Sequence, residues 1–443
     1  MKNLFTTLSN IWKIDDLRVR ILNTLLFLLI YRIGSFIVLP GVNPLAIEAQ
    51  SREGLMGLLN MFAGGSFSRA SIFALGVMPY ISASIVVQLL GIAVPYFQKM
   101  QKEGESGRKK ITQITRYLTV AITLVQSVAY VRTQIPEDAK MMADPLFSVS
   151  SMFILTAGTL FVMWLGEKIT DKGIGNGISL IIMVGIIATL PGSILTEVNS
   201  RLAGQGGIIP FIVEIVVLFF IVIFTILIVQ GVRRIPVQYA KKIVGNKQYG
   251  GVRQYIPLKV NAAGVMPIIF AQAIMFVPSA LAGLIPSLQG GFLTSLSDFT
   301  SLAYNLTFAF LIIAFTFFYT AITVNPVQMS DDMKKNGGFI PGVKPGRTTG
   351  DYIDSVISKI TLPGSIFLAI IAILPSIAII LGVNSQFAAF FGGTSLLILV
   401  GVVLDTLQQI ESHLLMRHYD GLMKTGRLKG RNPVAAGATG SVI

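Results

Sequence analysis

Long apolar stretches without charged residues recur along the whole chain, separated by polar or Gly/Pro segments. A helix that spans a membrane needs about 20 predominantly apolar residues, and the pattern predicts ten such spans. They are expected near 21–39, 73–93, 116–133, 150–167, 177–195, 211–230, 263–285, 303–324, 361–382 and 388–410. The pattern therefore predicts an all-α polytopic membrane protein.

The composition agrees with a bilayer as solvent. Of the 443 residues, 53% are hydrophobic and 13% are charged, whereas soluble proteins have about 25% charged residues. The apolar residues form unbroken runs and do not alternate, which excludes an outer-membrane barrel. The chain has no cysteine, so disulfides, thiolate metal sites and cysteine nucleophiles are excluded.

The positions of the 35 Lys and Arg residues predict the orientation of the chain. Basic residues accumulate in loops that stay in the cytoplasm. Most of them fall in one alternating set of segments: the N-terminus, 99–116, 168–172, 233–259, 334–359 and the region from 417 onward. We therefore expect both termini in the cytoplasm, and a first span that is retained and not removed as a signal peptide.

Ten spans divide into two halves of five that enter the membrane from opposite sides. We therefore expect two inverted pseudo-symmetric halves, residues 1–200 and 201–415, followed by a cytoplasmic tail at 416–443. This expectation rests on parity alone, since residue-level similarity between the halves is not evident. The two largest cytoplasmic loops are predicted at 231–260 and 325–360.

Residues that would identify an enzyme are missing. There is no Gly-rich phosphate-binding loop, and neither His413 nor His418 has the neighbours of a zinc site. Coupled transporters usually place carboxylates within their spans; Glu214, Asp405 and Glu411 are the candidates, and a role against a neighbouring helix or the interface is favoured for them. We expect no catalytic residue, cofactor or metal, which leaves a channel or a secondary transporter for a small solute.

Residues 55–75 are apolar enough to enter the membrane, but Gly64-Gly65 interrupts them and Arg69 follows. Irregular backbone at membrane depth persists only where protein or a water-filled cavity satisfies its polar groups. We interpret the segment as re-entrant. An amphipathic helix on the outer surface is the alternative.

Several long motifs resemble the SecY family of protein-translocation channels, over roughly residues 10–431. The most specific are SIFALGVMPYISASIVVQLL at 71–90 and MWLGEKITDKGIGNGISLII at 163–182. The others are YRIGSF at 31–36, NMFAGGSFSRASIF at 60–73, KEGESGR at 102–108, PLKVNAAGVMP at 257–267, GFIPGVKPG at 338–346 and GGTSLLI at 392–398. The resemblance implies a channel in the bacterial inner membrane that moves unfolded preproteins across and releases transmembrane segments sideways into lipid.

Residues 60–73 match that family's plug, a short segment that closes the external funnel and moves aside for a substrate. The resemblance assigns to it Asn60, Met61, Phe62, Gly64, Gly65 and Arg69. A mobile plug must be weakly held. Gly64, Gly65, Ser66 and Ser68 suit this, because they offer little apolar anchoring.

The family's constriction is a ring of apolar side chains. The matching positions are Val77, Ile81, Ile178, Ile182, Ile269 and Ile398. Such a ring excludes ions by dewetting and deforms around a polypeptide, although ordinary helix packing is the alternative for any one of these residues.

The family's lateral gate toward lipid matches four polar residues: Ser82, Gln88, Gln126 and Gln272. Hydrogen bonds between helices, worth about 0.5–2 kcal/mol each, would hold this seam closed. For Gln272 an ordinary contact between helices is the alternative.

The two basic loops match the family's docking surface for the ribosome and the ATPase SecA. The docking residues that this implies are Arg233, Arg234, Lys241, Lys242, Lys344 and Arg347. Basic loops suit rRNA phosphates, although a solvated cytoplasmic loop has the same composition. The family usually has arginine at Lys344, and lysine cannot make a bidentate contact, so Arg347 is a candidate to compensate. SecE, SecG, the signal peptide and the bilayer are the other implied partners.

Overall fold

The computed structural model describes residues 12, 14–43, 60–61, 63–204, 207–239, 242–244, 247–249, 253–272, 274–275, 295–296, 298 and 300–424. Its α-helices are α1 (Asp15–Gly34), α2 (Met78–Ala93), α3 (Pro95–Lys102), α4 (Glu105–Gln134), α5 (Asp144–Lys172), α6 (Gly177–Leu202), α7 (Ile208–Val229), α8 (Leu302–Thr323), α9 (Pro326–Lys335), α10 (Arg347–Ile380), α11 (Ser385–Ala388) and α12 (Gly393–Lys424). The protein is therefore mostly helical, as the apolar runs predict.

Seven helices within the described ranges are long and apolar enough to cross a membrane. The bent pair α2 and α3, with 100° between their axes, would make an eighth. Helix α1 and the helical residues 266–272 coincide with the first and seventh predicted spans. The rest of the seventh prediction, beyond residue 275, lies outside the described residues. The mostly helical membrane fold is confirmed, and each predicted span contains helical residues.

Several helix boundaries differ from the prediction, and the starts of α2 and α10 differ in opposite directions. Helix α2 starts at Met78 instead of 73, because residues 71–77 form a series of turns. Helix α10 starts at Arg347 instead of 361 and is 34 residues long, or about 50 Å at 1.5 Å per residue. This exceeds the roughly 30 Å of a bilayer core, so α10 projects beyond the membrane.

The predicted loop 231–260 contains β-strands. The strands are β1 (Val232–Tyr239), β2 (Lys242–Val244), β3 (Lys247–Tyr249), β4 (Arg253–Lys259) and, from the second predicted loop, β5 (Gly338–Phe339). Strand β1 lies between β4 and β5 and is antiparallel to both, with Val232 opposite Lys259 and Gln238 opposite Phe339. The hairpin β2–β3 forms a separate sheet.

A small apolar core explains why these two connections contain regular structure. Ile235 and Val237 alternate with exposed residues along β1 and are buried, the pattern of a strand with one covered face. They pack with residues of α9, α10 and the turn between them; the buried members of this cluster are Ile235, Val237, Leu258, Met333, Ile340 and Ile353. The two connections predicted between spans at 231–260 and 325–360 therefore contain regular structure, and their cytoplasmic location stays a prediction.

Candidate functional site

Five of the six residues matched to the pore ring lie in one apolar cluster. Val77, Ile182 and Ile398 are its buried members, and Ile81 and Ile178 pack against it. They come from the start of α2, the first two turns of α6 and the first half of α12. Ile269 is half-buried and lies outside the cluster, next to Ile268, which belongs to a neighbouring one. The structure brings the ring residues together except for Ile269.

Close packing of α5 against α6 places the α6 members of the ring. A side chain at Gly177 would lie 2.0 Å from the carbonyl oxygen of Gly166, and one at Gly166 would lie 2.7 Å from Ile178 Cγ1. The side chain of Asn176 caps α6 by accepting from the backbone N–H of Ile178 and Ser179. The motif GEKITDKGIGNG thus lets the two helices cross at backbone contact and fixes where α6 begins.

The plug reaches this cluster through Met61. Its side chain is 5% exposed and belongs to the same cluster as Val77, Ile182 and Ile398. Ser395 on α12 donates a hydrogen bond of 3.0 Å to Met61 Sδ. Met61 therefore lies in the same apolar cluster as five of the residues matched to the ring.

Arg32 bonds the plug to α1, whereas Arg69 bonds within the plug. Arg32 Nη1 on α1 and Arg69 Nη2 on the plug donate to the same carbonyl oxygen, that of Gly64, at 2.8 and 3.0 Å. Both guanidinium groups lie over the ring of Phe36, at 4.8 and 4.4 Å from its centroid. Gly64 itself has φ +63, and an added Cβ would lie 2.9 Å from Gly185 Cα on α6. Glycine is therefore required here both by the backbone conformation and by the approach to α6.

The segment 37–43 joins the end of the plug to the loop after α4. Leu39 N–H donates to Ala70 O and Ile72 N–H donates to Ile37 O, both at 2.9 Å, and Met141 N–H donates to Gly41 O at 2.9 Å. Beside this segment, Lys140 Nζ lies 2.7 Å from Asp144 and 2.8 Å from Glu137. Hydrogen bonds to these two carboxylates raise the pKa of Lys140 above its ordinary value. Backbone pairing and charge together fix this side of the plug.

Hydrogen bonds within the plug hold its own turns in place. Ser66 is fully buried and donates to the carbonyl oxygens of Ala63 and Phe73, and Asn60 Oδ1 accepts from the N–H of Ser68 at 2.9 Å. These bonds all lie within residues 60–73, so weak anchoring of the plug to the rest of the protein stays a prediction. Most residues from 63 to 77 are buried, so the alternative of a surface helix is wrong. Phe62 lies outside the described residues.

Two of the four polar residues matched to the lateral gate form hydrogen bonds within their own helix. Ser82 donates to Met78 O and Gln88 donates to Ser84 Oγ, each four positions away on α2. Gln126 on α4 is half-buried. Gln272 lines a small cavity with Tyr304 and Phe308 of α8. The bonds of Ser82 and Gln88 stabilise their own helix, so they do not support the predicted closure of a seam by these two residues.

The residues matched to the docking surface share one exposed module. Arg233 and Arg234 are exposed on β1, and Lys344 and Arg347 are exposed on the turn that leads into α10. Ile235 and Val343 pack in the same cluster beneath them. The turn is fixed by Ser330 Oγ, which donates to Gly346 O at 2.6 Å, and by Thr349 Oγ1, which donates to Lys344 O at 2.8 Å. Lys241 lies outside the described residues; Lys242 opens β2.

Sequence reasoning missed a buried ionic cluster at the ends of α6 and α7. Arg201 Nε donates to Glu197 Oε1 at 2.8 Å, and Arg201 Nη2 contacts Glu214 Oε1 and the carbonyl of Gly382. The prediction that Glu214 faces a neighbouring helix is confirmed. The predicted spans leave Arg201 in an external loop, whereas it lies on α6. Its spacing of four residues from Glu197 on one helix was the signal that could have placed it.

The arrangement is a helical membrane protein in which Met61, Phe73 and Val77 pack into one apolar cluster with residues of α2, α6 and α12. Within the described ranges, no group of three or more His, Asp or Glu side chains could hold a metal ion. A family model described as SecY matches residues 71–407. The protein translocase subunit SecY of Streptomyces scabiei is 44% identical over 440 residues, which cover 95% of this chain and 100% of that protein.

Two solved structures share the fold. One is a SecY structure whose plug domain is described as stabilising the closed state of the translocation channel; it has a TM-score of 0.59 and 18% identity over 89% of this chain and 92% of that one. The other is Sec61 in the canine ribosome–channel complex, with a TM-score of 0.61 and 18% identity over the same shares. This chain belongs to the SecY family.

Proposed function

We propose that the chain is the central subunit of a protein-conducting channel of the bacterial inner membrane, with both termini in the cytoplasm. Unfolded preproteins cross it, and hydrophobic segments leave it sideways into lipid. The observation that carries this proposal is the contact of Met61 with the cluster that contains Val77, Ile182 and Ile398. A segment seated on an apolar constriction can seal a pore at rest without any charged group.

The ring provides the seal and the passage in this proposal. Aliphatic side chains offer a translocating chain no fixed charge and no hydrogen bond, so any sequence can pass while ions are excluded by dewetting. Val77, Ile81, Ile178, Ile182 and Ile398 form this ring, and Ile269 contributes at its edge. The gate residues Ser82, Gln88, Gln126 and Gln272 line the exit into lipid by family resemblance.

Substrate binding must displace the plug from its resting position. Its hydrogen bond to α1 runs from Arg32 to Gly64 O, and a hydrogen bond that involves a charged group contributes about 1.5–3 kcal/mol. Binding of an apolar signal peptide in a helix seam can supply that amount, since burial of one large apolar side chain contributes about 1.5–3 kcal/mol.

The exposed module of β1 and the turn before α10 is the proposed docking surface for the ribosome and for SecA. Arg233, Arg234, Lys344 and Arg347 belong to this module, and the family resemblance adds Lys241 and Lys242 to the surface. The small subunits SecE and SecG complete the channel, and the chain itself has no catalytic activity, so the driving force comes from the docked ribosome or ATPase. Residues 1–200 and 201–415 are its two proposed halves, with the boundary in the last turn of α6.

The test is photo-crosslinking of a preprotein arrested during translocation. A photoreactive amino acid replaces Ile182, a ring position, or Ile187, which is 44% exposed on the same helix. We expect the arrested preprotein to crosslink at 182 and not at 187, because only 182 faces the proposed pore. Equal crosslinking at both positions, or none at 182 while preprotein still crosses, would contradict the proposal.

A further inference from the structure

The ionic cluster of Glu197, Arg201 and Glu214 joins three elements. Glu197 and Arg201 lie on α6 and Glu214 lies on α7. Arg201 Nη2 donates to Gly382 O at 2.9 Å, and Glu197 Oε2 accepts from the backbone N–H of Asn384 at 2.8 Å, so the turn between α10 and α11 is attached to both helices through this cluster.

The charges of this cluster do not balance. Two carboxyl groups face one guanidinium, and all three side chains are at most 9% exposed. The charged groups that act on Glu214 within the described chain are Glu197 and Arg201, and the α10–α11 turn contributes only backbone atoms. If both carboxyls were ionised, one negative charge would be buried without a partner, which is strongly unfavourable.

The hydrogen bonds show where the missing positive charge belongs. Both oxygens of Glu197 and Oε1 of Glu214 accept from N–H donors. Glu214 Oε2 is buried and has no donor within the described residues. A proton on Glu214 Oε2 would supply the missing positive charge at the carboxyl oxygen that accepts no hydrogen bond within the described residues.

We propose that Glu197 and Glu214 form a proton-binding site that keeps the ends of α6 and α7 attached to the α10–α11 turn. A metal ion does not fit, because a hard cation takes about six or more oxygen ligands and only one carboxyl oxygen is free of donors here. With the proton bound, the cluster is neutral: one carboxylate, one carboxylic acid and one guanidinium. Loss of the proton leaves a net negative charge and weakens the attachment.

The proposed proton-binding site predicts the direction in which the stability of the protein changes with pH. The folded protein holds a proton that an exposed, unfolded glutamate releases at neutral pH, so stability falls as the pH rises. Glu214→Gln places an N–H donor where the proton lies and leaves one carboxylate for one guanidinium. The variant is therefore expected to be as stable as the wild type at low pH and to lose the pH-dependent fall.

The experiment uses the full-length chain in lipid nanodiscs with whatever subunits co-purify. Infrared difference spectra between wild type and Glu214→Gln should contain the carbonyl band of one protonated carboxyl group at neutral pH. Thermal unfolding from slightly acidic to alkaline pH should show the wild-type Tm falling while that of Glu214→Gln stays level. The matched control is Glu167→Gln, because Glu167 pairs one-to-one with Arg116; it should leave the band and the pH slope unchanged.

A third variant and the contrary results complete the test of the proton-binding site. Arg201→Gln should lower the Tm across the whole pH range, since it removes the donor shared by both carboxyls. Absence of the protonated band, or a Tm of Glu214→Gln that is lower than wild type at every pH, would overturn the proposal and show an ordinary ion-pair network. Neither readout involves protein transport, so the result is independent of the proposed channel function.

Discussion

Ser395 on α12 donates a hydrogen bond to the sulfur of Met61, a residue 334 positions earlier in the chain. This contact places the plug against the same cluster that contains Ile398, one helical turn beyond Ser395. The plug and the constriction are therefore parts of one packed core. A change in either should alter the seal of the resting channel.

Met61→Ala tests whether the plug side chain seals the pore. Removal of a buried methionine side chain costs about 2–5 kcal/mol where the site cannot collapse, and here the missing packing lies on the ring. We expect a higher resting ion conductance in planar bilayers. Met163→Ala is the control, because Met163 is equally buried at 5% exposure; it should lower the Tm without raising the conductance, and equal leaks would contradict the assignment.

Gly64→Ala tests the approach of the plug to α6. The substitution combines a left-handed backbone, which costs about 1–2 kcal/mol for alanine, with a Cβ 2.9 Å from Gly185 Cα. We expect a folded channel with a displaced plug and a raised resting conductance. Gly342→Ala separates the two effects, since Gly342 has φ +88 and open space around an added Cβ. It should keep the channel tight; a leak from this variant too would assign the effect to general destabilisation.

The different positions of Ile182 and Ile269 predict that substitutions at the two residues change the ion conductance by different amounts. Ile182 is 6% exposed within the cluster, whereas Ile269 lies outside it. Ile182→Ala should therefore raise the ion conductance of a plug-deleted channel clearly more than Ile269→Ala, as measured on single channels. Indistinguishable conductances would show that the cluster is helix packing and does not define the constriction.

The exposed module predicts salt-sensitive ribosome binding. Reversing Arg233 and Arg234 to Glu should weaken ribosome binding and flatten its dependence on salt, by about one unit of log–log slope for each phosphate that the module no longer neutralises. Binding of purified ribosomes to channel in nanodiscs at several salt concentrations measures both. The control, Arg132→Glu, changes an exposed arginine in the last turn of α4, away from β1 and the turn before α10. If it weakens binding equally, net charge and not this module is responsible.

The sequence predicts the spans well because the bilayer forces about 20 apolar residues onto each. The plug and ring follow from long motifs, and the structure explains those motifs physically, for instance through the backbone contact of Gly166 with Gly177. The hydrogen-bond partners of Ser82 and Gln88, and the place of Ile269 outside the cluster, could be found only from the structure. Motif matching gives a residue its place along a helix, whereas its hydrogen-bond partners depend on rotamers and on the neighbouring helix.

Strand β1 and the partners of Arg201 could not be predicted from the sequence, for the same reason. Strand β1 contains only two buried apolar residues, Ile235 and Val237, among polar neighbours, so its basic composition hides the alternation. The partners of Arg201 come from α7 and from the turn at Gly382, and sequence distance gives no sign of these contacts. In both cases tertiary packing decides the outcome, and local patterns are weak.

Resting ion conductance of the purified chain with its partner subunits tests the central claim most directly. Wild type would be compared in planar bilayers with a deletion of 60–73 and with the double variant Ile81→Gly and Ile182→Gly. A plug seated on an apolar ring predicts a tight wild type and two leaky variants that remain folded. Three equally tight channels, together with uptake of a small solute against its gradient, would contradict it.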